Sequence, residues 1–259
     1  MLNKHYQYAI TRTPPDSMAN GITTQDVVID LQLARRQHQF YVAALQDLGI
    51  SVTVLGPEEL YPDSHFVEDA AIIHNEIAIL TRPGAEARRG EVVCLVPALQ
   101  NVLTVRQLGG DERALVDGGD VLFVGDRVYI GISDRTNIAG AEQLKNALTS
   151  IDPRLSIHFI SFSGVLHLKS GLTALGPNLL IGSPAIKLHD PLPIADIVWL
   201  PDAEGYAANT LSVNGAVLYF AECQSAREVI MAAGLKPVAL DMSEFRKMDG
   251  SFTCLSLLW

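Results

Sequence analysis

The chain has 259 residues, 48% of them hydrophobic, with no composition break that marks a linker, so one domain over residues 1–259 is expected. A formal net charge of −10 argues against a nucleic-acid binder, which needs basic surface to displace counterions. Apolar runs are short and interrupted by charge or turn residues, which excludes a transmembrane helix of about 20 apolar residues, and the stretch MLNKHYQYAITRTPP lacks the apolar centre of a secretory signal, so a cytoplasmic location is expected.

In chain order, HYQYAITR reads as a first strand. The following RTPPDSMANGITTQD is rich in Pro, Gly, Asn and Asp and reads as a long surface loop of the kind that often serves as a lid. From Val27 to Leu48 apolar residues recur at helical spacing, with Leu31, Ala34, Tyr41 and Leu45 on one face and Gly49 beyond the end. SVTVLG follows as a strand, and further helices are predicted over Arg88–Val96, Ala139–Thr149, Ser225–Ala233 and Met242–Lys247. Short helices thus alternate with strand pairs whose continuous apolar runs suit burial on both faces, which points to a layered α/β fold.

Four of those pairs repeat one pattern: DAAIIHNEIAIL from Asp69, DVLFVGDRVYIG from Asp120, GLTALGPNLLIG from Gly171 and NTLSVNGAVLYF from Asn209. Each has an apolar run, a two-residue break (His74-Asn75, Gly125-Asp126, Gly176-Pro177, Asn214-Gly215) and a second apolar run, the signature of a β-hairpin. A recurring unit of this kind buries its apolar face against copies of itself. A fifth copy starts at Cys254, but CLSLLW ends before it can turn, so its partner strand is expected from HYQYAITR, closing a ring. Asp63, Glu68, Asp69, Asp117, Asp120, His167 and Cys254 all sit where hairpins begin, and a radial arrangement would bring them to one end of a central channel.

A thiol and an imidazole are the minimum equipment for covalent catalysis, with the histidine moving protons as the thiolate attacks. Taken singly, a free cysteine is more often a small buried hydrophobe, and Asp or Gly at a strand end is as readily a turn former. Alternation in VLHLKSG places His167 opposite Leu166 and Leu168. Cys94, Cys223 and Cys254 lack paired spacing, so neither disulfides nor a zinc site is expected. Several carboxylates around a Cys and His suit a guanidinium, a permanently charged group with five donors. Arg82, Arg88, Arg89 and Arg135 are candidates to hold a carboxylate at the other end of such a substrate, and singly each also reads as a solvated surface arginine.

The segments FVEDAAI, TRPGAEARRGE, DGGDVLFVGDRVYIGISDRTN, LHLKSGL, AANTLSVN and DGSFTC, in that order, make the sequence resemble the dimethylarginine dimethylaminohydrolases of the guanidine-modifying pentein superfamily. The resemblance implies a five-bladed α/β propeller of ββαβ-type units around a polar channel. It implies Cys254 as nucleophile, His167 as general acid and base, and Asp117 as the carboxylate that supports the histidine. Glu68, Asp69 and Asp249 would contact or position the guanidinium, Asp63 the α-amine, Arg88 and Arg135 the α-carboxylate, and Ile22 would belong to the lid. The implied reaction converts asymmetric dimethylarginine to citrulline and dimethylamine through a Cys-linked thiouronium, without a cofactor. A small guanidino amino acid is the expected partner and a homodimer the expected assembly. The alternatives are a sister enzyme, such as an arginine deiminase or citrulline hydrolase, and a non-catalytic binding protein on the same scaffold.

Overall fold

Tight turns set the frame. A computed structural model describes residues 5–193 and 196–259; residues 1–4, part of the stretch read for a targeting signal, lie outside that description, as do 194–195. The chain enters as β1 (Tyr8–Arg12), crosses over through α1 (Leu31–Asp47) and returns as β2 (Ser51–Leu55), parallel to β1 with Tyr8 opposite Ser51. The helix starts later than its apolar spacing predicts because Asp30 caps it: the carboxylate accepts the Leu33 N–H at 3.0 Å.

The next units repeat a plan of antiparallel hairpin followed by a parallel strand. In the first, β3 (Ala71–His74) turns into β4 (Ile77–Leu80), and α2 (Arg89–Gln100) leads to β5 (Thr104–Gln107), parallel to β4. In the second, β6 (Val121–Val124) turns into β7 (Arg127–Ile132), and α3 (Ile138–Ile151) leads to β8 (Ser156–Ser163). After the one-turn helix α4 (Leu168–Gly171), β9 (Leu172–Gly176) turns into β10 (Leu179–Gly182). Here the described part of the connection holds no helix; β11 (Lys187–Leu188) pairs back onto β8, and β12 (Asp196–Trp199) then runs parallel to β10. Finally β13 (Leu211–Val213), β14 (Ala216–Phe220), α5 (Gln224–Ala232) and β15 (Lys236–Leu240) restore the full plan.

The chain ends through α6 (Ser243–Arg246) and β16 (Leu257–Leu258), which pairs antiparallel with β1, Leu258 opposite Ala9. Trp259 stacks on Tyr8 with ring centroids 5.6 Å apart. The fifth sheet is thus built from both ends of the described chain, β16-β1-β2, as the truncated repeat predicts, and the apolar Leu257–Trp259 ending serves this closure.

Two hairpin breaks fall one residue later than their sequence positions suggest. His74 still pairs with Ile77, so Asn75 and Glu76, at φ +47° and +60°, make the turn. Gly176 still pairs with Leu179, before a register shift at Leu179/Leu180. Helices bury one face on their sheets: Val92, Leu95 and Leu99 of α2 pack with Ala78 and Leu80, and Ala141, Leu144 and Leu148 of α3 with Val128 and Ile130. Each buried Val, Leu or Ile among them contributes about 1.5–3 kcal/mol.

The first strand of every hairpin, and β16, faces a common cavity of about 180 Å³ lined by residues of β3, β6, β9, β13 and β16. Each of these strands is preceded by a short helical segment: Val67–Ala70, Gly118–Asp120, Leu168–Gly171, Asp202–Ala208 and Thr253–Leu255. Five turns therefore converge at one end of the cavity.

Candidate active site

These turns carry the polar residues that the sequence places at the start of each hairpin. Glu68 and Asp69 lie on the first, Asp117 immediately precedes the second, His167 precedes α4, and Cys254 lies on the last. His167 is not on a strand, as alternation suggests, but is the residue from which α4 starts; Leu168 is fully buried while Leu166 is 41% exposed. Asp120 secures this start by accepting the Leu168 N–H at 2.9 Å. The two glycines of DGGD have a steric reason. A Cβ on Gly118 would lie 1.9 Å from the Glu68 carbonyl oxygen, and one on Gly119 2.7 Å from the His167 ring, so only glycine lets the turn lie against both neighbours.

His167 Nε2 lies 3.0 Å from Asp117 Oδ2, and the other Asp117 oxygen accepts the Gly84 N–H at 2.8 Å. A carboxylate only accepts, so the Nε2 proton donates to Asp117 and Nδ1 is the nitrogen left for proton transfer. Burial pulls the imidazolium down, but the charge of Asp69, the hydrogen bond to Asp117 and the charge of Asp120 outweigh it and hold the pKa at about 9. Cys254 is displaced the opposite way, since burial and then the negative charges of Glu68 and Asp69 push the thiol up to about 12. At neutral pH the protein thus holds an imidazolium and a protonated thiol.

Two buried carboxylates flank this pair. Burial would raise Asp69, yet the His167 and Arg88 charges, an Arg88 Nη1 donor at 2.5 Å and the Gly119 N–H at 2.8 Å hold it at about 2. Burial raises Glu68 despite Lys169, whose Nζ lies 2.5 Å from Oε1; Thr253 Oγ1 donates to Oε2 at 2.8 Å. Asp69, Asp117 and His167 are close enough to share an ion, but their donor atoms are engaged with Arg88, Gly119, Gly84 and each other.

A cavity of about 40 Å³ gathers Ile22, Asp63, Asp69, Arg88, Arg135, His167, Asp249 and Cys254, eight of the ten residues to which the family resemblance gives a role. The other two sit behind its wall: Asp117 under the imidazole, and Glu68 on the central cavity with Lys169 and Thr253. Arg88 is a buried hub. It donates to Asp69, to both oxygens of Glu91, and to the carbonyls of Asp63 and Phe66, which leaves an Nη1 hydrogen for the cavity. Asp63 accepts the Ile22 N–H at 3.0 Å, and burial pushes its carboxyl up. Arg82 and Arg89 stay outside: they donate to the carbonyls of Glu112 and Pro83 and border a separate cavity.

Sequence reasoning passes over Lys169, Thr253 and Glu91. Lys169 follows His167 by two residues and Thr253 adjoins Cys254, so adjacency to that candidate cysteine and histidine is the signal that could have found them. Glu91, paired with Arg88 at 2.8 Å, looks in sequence like an ordinary first-turn acid of a helix.

A family model described as N,N dimethylarginine dimethylhydrolase, eukaryotic, matches residues 9–181. A dimethylarginine dimethylaminohydrolase of Pseudomonas aeruginosa is 37% identical over 253 residues, 97% of this chain and 99% of that protein. One from Streptomyces coelicolor is 37% identical over 257 residues, 96% of this chain and 95% of that protein. A solved structure of the Pseudomonas aeruginosa enzyme, a cysteine-to-serine mutant complexed with citrulline, superposes with a TM-score of 0.92 at 36% identity, covering 99% of this chain and 100% of that one. The N-terminal domain of a cyanobacterial arginine dihydrolase, at 19% identity and a TM-score of 0.84 over 97% of each chain, shares the fold.

Proposed function

Because the chain belongs to the dimethylarginine dimethylaminohydrolase family, we propose that it hydrolyses Nω-methylated L-arginine to L-citrulline and methylamine or dimethylamine, with Cys254 as nucleophile and His167 as general acid and base. One observation carries this reading: Cys254 and His167 line a single cavity with Asp63 and Asp69 on its walls and Arg88 and Arg135 beside them. That set complements a guanidinium, an α-amine and an α-carboxylate together.

The Cys254 thiol gives up its proton to solvent as a guanidinium enters, because the substrate's positive charge offsets the carboxylates that otherwise keep the thiol neutral. The thiolate attacks the guanidinium carbon and forms a C–S bond. The C–N bond to the leaving amine then breaks as His167 passes its Nδ1 proton to that nitrogen, leaving a thiouronium on Cys254. Water gives a proton to the now neutral imidazole and its hydroxide adds to the same carbon; the C–S bond then breaks as the added hydroxyl's proton passes to the sulfur, which restores the thiol and releases the neutral ureido product. Asp117 holds the ring throughout, and Asp69 fixes the guanidinium plane from its place beside the imidazole. Glu68 supports that charge from behind, and Asp249 borders the same cavity.

We read the chain as one catalytic domain arranged as a five-bladed propeller, since one strand from each of the five sheets lines the central cavity. Among the described residues no helix is long and apolar enough to cross a membrane. A catalytic thiol beside free Cys94 and Cys223 favours a reducing compartment such as the cytoplasm.

The test incubates the purified protein separately with asymmetric dimethylarginine, arginine, citrulline and agmatine, measuring citrulline, dimethylamine and ammonia. Citrulline and dimethylamine from dimethylarginine, abolished by Cys254→Ser, is the expected result. Ammonia from one of the other compounds would move the assignment to a sister hydrolase.

A further inference from the structure

One carboxylate fastens the loop between β1 and α1. Asp249 accepts the Thr24 N–H at 2.6 Å, the Gln25 Nε2 at 3.0 Å, and the hydroxyls of Thr24 and Thr23 at 3.1 and 3.3 Å. Neighbouring bonds extend the contact: Thr23 Oγ1 donates to Lys247 O at 2.8 Å, Gln25 Nε2 to Arg246 O at 2.9 Å and Lys247 Nζ to Val28 O at 3.0 Å, while Glu244 accepts the Asp30 N–H at 2.8 Å. The whole run from Thr23 to Asp30 is stitched to the segment just ahead of the nucleophile. Asp249 reaches this position from a left-handed backbone, φ +55°, a conformation that residues with a Cβ adopt rarely.

Volumes say what the stitching separates. The cavity that holds Cys254 and His167 measures about 40 Å³, whereas pockets that enclose small molecules run from about 300 Å³ upward. Beside it lies a cavity of about 600 Å³. Leu166, Asp249 and Gly250 border both, and Thr24 and Gln25 border the larger one, so the Asp249 contact is part of the partition between them.

We propose that Asp249 is the latch of the lid: parting its bonds to Thr23, Thr24 and Gln25 joins the catalytic cavity to the larger one, and that joined space is the route by which substrate enters and product leaves. Asp249 is then a positioning residue that acts through the loop, in addition to any contact it makes with the guanidinium. The substrate in this statement rests on the functional reading above; the latch does not.

Two variants test it, Asp249→Asn and the double variant Thr23→Val/Gln25→Ala, which leaves every residue of the catalytic cavity in place. Deuterium exchange at the Thr24 amide should quicken about tenfold or more in Asp249→Asn, the effect of losing a hydrogen bond to a charged acceptor. The double variant should also exchange faster and show a raised KM, while its single-turnover rate at saturating substrate stays near that of the unmodified protein. Unchanged Thr24 exchange in Asp249→Asn, or faster exchange with an unchanged KM in the double variant, overturns the proposal. Turnover of no guanidino amino acid by the unmodified protein would overturn the functional reading instead, and the exchange comparison would still decide the latch.

Discussion

At Cys254 and His167, burial and charge act in opposite senses. The carboxylates that raise His167 to about 9 are in part the ones that push Cys254 up to about 12, so Asp69 supplies a proton donor and withholds a thiolate at once. A cation seated among them releases the thiol. Ultraviolet titration of the thiolate, compared with Cys254→Ser, should place the free protein's midpoint well above the ordinary cysteine value, and a bound non-reactive amidine should lower it. A midpoint near neutrality without ligand would mean that the imidazolium alone activates the sulfur. Asp117→Asn addresses the other partner. Without the ionised acceptor at 3.0 Å, His167 falls from about 9 toward its ordinary 6.5, so less imidazolium is available as acid at pH 7–9. The alkaline limb of kcat should move to lower pH, with a drop of up to about 30-fold at pH 8; an unmoved limb would assign it to another group.

The hairpin turns show how much a local signal can fix. Asn214-Gly215, at φ +48° and +83°, is where its sequence places it. The Asn214 side chain does more than turn the chain: Oδ1 accepts the Tyr6 N–H at 2.9 Å, and Nδ2 donates to the carbonyls of Tyr6 and Leu48 at 3.0 Å each. This hairpin tip therefore holds the first strand's approach and the end of α1. Asn214→Gly keeps the turn's backbone freedom but loses those bonds, and should lower unfolding free energy by about 1–3 kcal/mol in a denaturant titration. No loss would show that the bridge contributes nothing net. The repeat, the pairing of β16 with β1 and eight residues that line one cavity with Cys254 and His167 were legible because each rests on short-range pattern or on a contiguous motif. The latch, the Lys169–Glu68 pair and β11 on β8 were not, because each joins residues far apart in sequence. The one-turn helix after His167 was hidden for another reason: at four residues it is too short for periodicity to separate it from a strand.

Across the whole molecule, the five converging turns concentrate ionisable groups in a buried centre, and folding stability takes on a pH dependence that can be dissected group by group. His167, raised to about 9, contributes stability that is full below its ordinary 6.5 and is lost as pH rises through 9. Two other histidines have the opposite sign. His38, on the buried face of α1, is lowered to about 4 by burial. His65, packed on Phe66 at 4.0 Å and Phe245 at 5.7 Å, is lowered to about 3 by burial and by the charge of Arg88. Between pH 6.5 and those values the unfolded chain binds a proton at each position and the folded protein does not, so each contributes a loss of stability of about 1.4 kcal/mol per pH unit as the solution is acidified. The raised carboxyls of Asp63, Glu68 and Asp120 act in the other direction, because they take up protons more readily when folded. A difference measurement removes them. The stability of the unmodified protein minus that of His65→Gln, from denaturant titrations at pH 7 and pH 4, should become less favourable by about 3 kcal/mol on acidification. His38→Gln should give the same sign and a smaller change, because its pKa lies nearer 4. A difference independent of pH in both variants would mean that these imidazoles are protonated inside the fold, with a negative partner close enough to outweigh their burial.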